Sequence, residues 1–399
     1  MLAWDVVVVG AGVVGLACAE RLSRRGLSVL VLERHPGIGM ETSSRSSQVV
    51  HAGMYYPEGS RKAELCVRGN ASLGAFCEAR GVPFARPGKL IVATDEAGEA
   101  ELAVILERGR RNGSAELTFA SKSDLEREPN LLARAALRSP RTGIVDAHAL
   151  MRSLMAEARS HGGDLALRHT LEVVERTAGG YLLRTREPSG DALTISTAWV
   201  VNAAGLWADD VAATVGLDVE AIGYRQRFVK GTYFRVNRPG LVKSLVYPVP
   251  PRDLAGLGVH ITVELDGGLR LGPDVEPLPG RVADYRVDEG RRPAFFAAAR
   301  TYLRGLREED LSPDQAGIRP KLGHPGEPAR DFVIVEESAR GLPGFINLLG
   351  IESPGLTCSL EIGAQVSALI RDGEASAPSS GGEETGPDED QGPLRETSP

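Results

Sequence analysis

The chain opens on an apolar run, Val6 to Val9, that is too short for a helix and is closed by a glycine. Such a run reads as a strand buried on both faces of a parallel sheet. Helical spacing follows and ends at Gly26; a second apolar run, Val29 to Leu32, ends in Glu33. The pattern is helical again over 61–80, with Gly81 as its stop, and over 97–112, with Leu102, Ile105 and Leu106 on one face. Residues 148–163 predict a helix closed by Gly162 and Gly163, and 165–177 return to strand. Residues 181–185 and 193–212 read as a hairpin, a buried strand, a turn and a helix. The segments 88–93 and 268–273 look like strands of a different sheet, and 216–315 is mixed, strand-rich and full of Gly and Pro. Strand, loop and helix close the fold over 330–370, and no internal repeat is visible.

The first two strands frame Gly10, Gly12 and Gly15 at GxGxxG spacing. Gly10 allows the tight turn, Gly12 lets backbone approach a pyrophosphate, and Gly15 lets the helix pack on the strand. The helix N-terminus offers free N–H groups and a positive dipole end to the phosphates, and Glu33 stands where an adenosine ribose would be held. A nicotinamide enzyme would continue with another strand–helix unit. Here a polar loop follows, with Thr42, Ser43, Ser44, Ser46 and Ser47 able to bond a second phosphate and a ring edge. No second GxGxxG occurs, which favours FAD. Ala203–Ala204–Gly205 is a small-residue turn where backbone could again pass a cofactor. Near the end, Ser353 reads as an N-cap and Pro354 as the first helical residue before Gly355, Leu356 and Thr357. That helix end is either aimed at the pyrimidine edge of a flavin or is a capped surface helix. Arg34, Gln48, Val49, Val173, Trp207, Gly350 and Glu352 complete the expected cofactor contacts, together with Val13 and Val14.

The 399 residues are enough for two compact domains, and no apolar run reaches the ~18–20 residues that span a bilayer. The net charge of −7 is concentrated at the end of the chain: without residues 374–399 there remain 46 acids and 45 bases. A nearly neutral body argues against nucleic acid as partner. The segment 373–399, rich in Gly, Ser, Pro and acid, is expected to be disordered. Cys18, Cys66, Cys77 and Cys358 form no CxxC pair and fit reduced thiols; no metal site is expected. A strand that starts almost at Met1 leaves no room for a signal peptide, so the expected location is cytoplasmic, with peripheral membrane association left open.

GAGVVGL, SSQVVHAGMYYPEGSRKAELC, GKLIVA, GIVD and NAAGLWAD resemble the D-amino acid oxidase-like superfamily of FAD enzymes. Within it, residues 51–69, 141–150 and 246–273 are most similar to the L-2-hydroxyglutarate dehydrogenase/oxidase branch. The resemblance implies an α/β fold: a Rossmann-like FAD-binding domain plus an α+β substrate domain with a large mixed sheet. Mapped onto this chain, 1–80, 143–215 and 325–372 would bind FAD, and 81–142 and 216–324 would form the substrate domain. It further implies oxidation of a 2-hydroxydicarboxylate to the 2-oxo acid, with electrons leaving to a quinone, another acceptor or oxygen. The chain departs from the branch at GIESPGLTCS and over AGIRPKLGHPGEPARDF, which bears on the identity of the hydroxy acid.

Alcohol oxidation needs a hydride acceptor, a base and cations for carboxylates. His51, which aligns with the family's histidine, is the candidate base because imidazole titrates near working pH. It could instead order the flavin loop or attach the flavin covalently. Arg319 matches a superfamily position that holds a substrate carboxylate, for which a guanidinium fork is suited; the alternative is an interdomain salt bridge. Lys321, Lys230, Tyr55, Tyr56, Tyr247 and His260 are further pocket candidates, His260 being equally readable as a core histidine. Lys62, at a helix start, reads as a solvated or phosphate-facing charge. The competing functions are an amine or amino-acid oxidase and a non-catalytic flavin-binding redox sensor.

Overall fold

The computed structural model describes residues 2–250, 258–323, 327 and 330–370. The acidic tail, and residues 251–257 within the 246–273 marker, lie outside the described residues.

The first sheet has eight strands and is built around Leu2–Val9. On one side this strand runs parallel to Val29–Glu33, which in turn pairs in parallel with Asp164–Leu167. On the other side it runs parallel to Ala192–Asn202. That strand serves two neighbours: its first half pairs antiparallel with Gly180–Arg186, and its end runs parallel to Leu342–Leu349. Val6, Val7 and Val8 have no exposed surface, because helices cover one face and the hairpin side covers the other. The helix Val13–Ser23 packs closely on Gly355–Leu369; a Cβ on Gly363 would lie 2.6 Å from the Ala17 carbonyl oxygen.

The second sheet has nine strands, with Gln226–Val236 paired antiparallel along Leu311–Leu322. Further along it, Leu245–Pro248 runs parallel to Lys89–Ala93, which pairs antiparallel with Ala135–Ser139. The helix Glu96–Arg111 covers this end through Leu102, Ile105 and Leu106. A small sheet of Val49–Val50, Phe84–Ala85 and Gly143–Val145 carries the chain between the two larger ones.

Two sequence expectations are corrected. Residues 165–177 form two strands, not one: Asp164–Leu167 joins the parallel sheet, Arg168 takes φ 65°, and Thr170–Thr177 starts a hairpin. The second is the start of the last helix. Pro354 occupies the N-cap position without a side-chain cap and the helix begins at Gly355, so Ser353 is not the cap.

The helix Arg61–Arg80 ends as expected at Gly81, which takes the left-handed conformation (φ 64°). It is capped by Ser60 and crosses the last helix at Gly69, where a Cβ would lie 2.2 Å from the Thr357 carbonyl oxygen. Nothing but glycine fits there without backbone movement. Gly69→Ala is therefore expected to destabilise the protein by about 1–3 kcal/mol, the usual cost of overpacking, read from denaturant unfolding. A change within about 0.5 kcal/mol, the range of neutral surface substitutions, would show that the two helices separate freely.

Candidate active site

A cavity of about 1090 Å³ is lined from both large sheets. That is just above the ~300–1,000 Å³ range of small-molecule sites, roomy enough for a dinucleotide and a small substrate. Its first end is made of backbone. Gly10 takes φ 105°, and a Cβ there would sit 2.5 Å from the Ala203 carbonyl oxygen. A Cβ on Gly12 would approach the Ser43 hydroxyl to 3.0 Å. Gly12, Val13 and Val14 bring the helix N-terminus to the cavity wall, with the Val13 N–H donating to Ser43 Oγ at 3.0 Å. Gly15 serves packing only: its Cβ would meet the Gly10 carbonyl oxygen at 2.0 Å, and it does not line the cavity. The Glu33 carboxylate accepts from the Ala11 N–H at 2.9 Å and the His35 N–H at 2.8 Å. Two backbone donors thus fix it at the wall, and each oxygen keeps a lone pair for a ribose hydroxyl. Arg34 lies 4.7 Å over the Trp207 ring, and both line the cavity with Ala203, Ala204 and Gly205.

In the middle stretch, Thr42, Ser43, Ser46, Ser47, Gln48 and Val49 line the cavity from one side, and Ser353, Pro354, Gly355 and Leu356 from another. The N-terminal end of the helix Gly355–Leu369 therefore adds a second partial positive charge. Glycines that admit backbone, a fixed carboxylate with lone pairs to spare and two helix N-termini together fit FAD.

Four expected cofactor positions besides Gly15 stand behind the wall. Ser44 turns its hydroxyl onto the Glu41 carbonyl (3.2 Å), so it does not reach the cavity. A register shift between Leu171 and Val173 presents Leu171 and Glu172 instead of Val173. The Gly350 N–H is spent on Gln226 Oε1 at 2.7 Å. Thr357 is fully buried, and its hydroxyl accepts from the His51 N–H at 3.0 Å.

At the other end His51, Tyr55, Tyr56, Tyr247, His260, Arg319 and Lys321 all line the cavity. His51 Nε2 lies 3.2 Å from Ser353 Oγ, and its Nδ1 has no partner among the described residues. With the proton on Nε2, the buried Nδ1 keeps a lone pair that meets no donor among the described residues. Burial, helped by the charge of Lys89, pushes the imidazole down to about 3. The ring is therefore neutral at working pH, and the expected titration near neutrality is corrected. His260 stacks on Tyr247 with centroids 3.6 Å apart; Nδ1 meets the Gly258 carbonyl at 3.1 Å, and Nε2 has no partner among the described residues. Among the described residues Arg319 donates only to backbone carbonyls, those of Asp274 at 3.3 Å and Lys230 at 3.5 Å.

The lysines sort differently from expectation. Lys62 is not a solvated charge: it is buried, with Nζ 3.1 Å from Glu352 and 2.9 Å from the Arg330 carbonyl. Lys321 pairs with the same carboxylate at 2.9 Å. Burial alone would raise the Glu352 pKa, but the two ammonium groups outweigh it and hold it below the usual range. Lys230 does not line the cavity; it is buried 3.9 Å from Asp284. Sequence reasoning missed Tyr233, buried in the cavity wall, and Lys89, buried behind Tyr55 and Tyr247.

Comparison with known proteins places this geometry. Residues 5–369 match the family described as FAD dependent oxidoreductase (DAO). The mitochondrial L-2-hydroxyglutarate dehydrogenase of Arabidopsis thaliana is 38% identical over 400 residues, covering 91% of this chain and 82% of that protein. An L-2-hydroxyglutarate dehydrogenase of Indibacter alkaliphilus is 31% identical, covering 91% of this chain and 98% of its own. Among solved structures, dithionite-reduced L-alpha-glycerophosphate oxidase from Mycoplasma pneumoniae with FAD bound superposes with a TM-score of 0.82. It is 26% identical, covering 92% of this chain and 95% of its own.

The Glu33 geometry yields a direct expectation. Glu33→Ala should weaken FAD binding to the apoprotein by about 1–3 kcal/mol, or roughly 5- to 150-fold in Kd, the cost of leaving the facing hydroxyls and N–H groups unpaired. Fluorescence titration with FAD measures it, and an unchanged Kd would place the ribose elsewhere.

Proposed function

The chain belongs to the FAD dependent oxidoreductase family, and from that premise we propose that it oxidises a 2-hydroxy acid, L-2-hydroxyglutarate to 2-oxoglutarate. The observation that carries the reading is a buried His51, with one ring nitrogen unpartnered among the described residues, in the same chamber as Arg319, whose guanidinium meets no carboxylate among them. FAD supplies the two-electron acceptor for the hydride. Arg319 clamps the carboxylate next to the reacting carbon. His51 Nδ1 takes the hydroxyl proton, and Ser353 fixes the ring through Nε2. The similarity to two L-2-hydroxyglutarate dehydrogenases supports this substrate over others. A second reading has its own support: the glycerophosphate oxidase likeness makes sn-glycerol 3-phosphate, another anionic secondary alcohol, the competing substrate.

The proposal includes two domains divided as the resemblance implies, with FAD held by 1–80, 143–215 and 325–372. It also includes a cytoplasmic location, supported by four buried free thiols, which suit a reducing compartment. Among the described residues no helix is long and apolar enough to cross a membrane.

Anaerobic rapid mixing tests the reading. L-2-hydroxyglutarate should bleach the flavin faster than sn-glycerol 3-phosphate or any amino acid; faster bleaching by either of those would replace the substrate. The two site residues should then fail differently. Arg319→Lys keeps the charge but loses the fork, so KM rises more than kcat falls. His51→Ala should slow flavin reduction by roughly 10²–10⁴-fold, the usual worth of a general base. The wild-type rate should show no His51 limb between pH 6 and 7: the base form exists above the folded-state value of about 3 and is lost only below it. Bleaching at the wild-type rate in His51→Ala would remove the base assignment.

A further inference from the structure

Strand Lys89–Ala93 reads KLIVA, and all five residues are buried. Alternation puts Leu90 and Val92 into the core of the second sheet with Phe234 and Ile261. Ile91 and Ala93 face the other way and pack on Ala52 and Met54, the loop that also carries His51, Tyr55 and Tyr56. Lys89 shares this face, and none of the five residues lines the cavity itself. Lys89 is 1% exposed, with Nζ 4.3 Å from the Tyr247 ring centre and 4.7 Å from that of Tyr55. Both rings line the cavity. Nζ has no hydrogen-bond or carboxylate partner among the described residues.

An ammonium without a counter-ion is among the costliest groups a fold can bury, and ring faces offset only part of that cost. Burial pushes its pKa down to about 7, which is the same cost seen as a proton affinity. A methionine would fill the space without the penalty. The nearby acids are committed elsewhere: Glu352 to Lys62 and Lys321, Asp274 to Arg291 at 2.6 Å. Arg319 is likewise without a carboxylate among the described residues, and His260 feels the positive charges of both Lys89 and Arg319. Two cations without a carboxylate among the described residues thus stand at one chamber, Arg319 in its wall and Lys89 behind the tyrosines that line it. A singly charged ligand would neutralise one of them and leave the other.

The geometry points to Lys89, with the Tyr55 hydroxyl, as the seat of a second anionic group of the substrate, the carboxylate far from the reacting carbon. This rests on the 2-hydroxy acid reading of the site and adds to it a residue that selects dianions. The Tyr55 hydroxyl, buried and unpartnered among the described residues, supplies the hydrogen bond, and Lys89 supplies the charge behind it.

The test compares holoenzyme turnover of L-2-hydroxyglutarate with that of L-2-hydroxyvalerate, which has the same chain length and a methyl in place of the far carboxylate. In Lys89→Met the ratio of the two kcat/KM values should fall roughly 10- to 100-fold, the worth of a charge-assisted contact. In Tyr55→Phe it should fall roughly 3- to 10-fold. Equal losses on both substrates, or an unchanged ratio, would overturn the assignment and leave Lys89 a structural residue. Titration calorimetry with glutarate and pentanoate separates this outcome from failure of the wider reading, since neither acid needs to react. Wild type should bind glutarate at least tenfold more tightly, and Tyr55→Phe should narrow the gap, an arm that stands even if Lys89→Met does not fold. If no hydroxy acid bleaches the flavin but the glutarate preference follows Lys89 and Tyr55, the reaction is wrong and the subsite stands.

Discussion

Everything at the cofactor end depends on three stretches of backbone coming closer than side chains allow. Gly10 donates its N–H to the Leu32 carbonyl at 2.8 Å, Ala203 donates to Val9 at 2.9 Å, and Gly39 donates to Ala11 at 2.9 Å. The strand end is pinned from both neighbours and the loop after Glu33 is pinned to the turn itself. A Cβ at Gly10 or Gly15 would break this knot, since each would meet a carbonyl at 2.5 Å or less. Because the knot ties strands remote in sequence, the glycine turn, the Ala203–Gly205 turn and the serine loop reach the cavity as one rigid wall.

Charge is arranged with the same economy. Glu352 satisfies two lysines at once, which removes Lys62 and Lys321 from the free cations of the site. Lys89 and Arg319 remain, and the field of Lys89 adds to burial in holding His51 neutral. A protonated imidazole could not accept a hydroxyl proton. On the proposed reading one buried ammonium would serve the base by keeping its lone pair available and serve binding by attracting an anion; both effects would come from the same desolvated charge.

The parts of this protein readable from its sequence are those set by local rules. The helix Arg61–Arg80 and its Gly81 stop, the strand–glycine–helix unit and the Glu33 position follow from spacing, capping and turn chemistry within about thirty residues. What escaped was decided by distant partners. Apolar and β-branched residues run on through 165–177, yet the parallel partner Val29–Glu33 takes the first part and the hairpin takes the second, so the chain must break at Arg168. Ser353–Pro354 carries a cap signature, but the serine hydroxyl faces His51, 302 positions away. Lys62 reads as a solvated or phosphate-facing charge because nothing nearby announces Glu352 or the Arg330 carbonyl. Lys89 was visible as a lysine on the inward phase of an apolar strand, a pattern conflict that marks a functional position; the two tyrosines that enclose it come from elsewhere in the chain.

The two halves of the cavity differ in how fully their polar groups are used. At the end formed by the glycine turn, Glu33 already holds two backbone N–H groups, and the Val13 N–H already donates to Ser43. That half is organised before a ligand arrives, so binding costs little ordering. At the far end His51 Nδ1, Tyr55 Oη, Lys89 Nζ and His260 Nε2 are all buried and unpartnered among the described residues. Each lowers the stability of the fold, and a ligand with complementary groups recovers that cost. A ligand that lacks one of those groups leaves a buried donor or acceptor unsatisfied, a larger penalty than the mere absence of an attraction. Discrimination between substrates is thus built into the half of the site that the fold leaves incomplete, and affinity for the cofactor into the half that it completes.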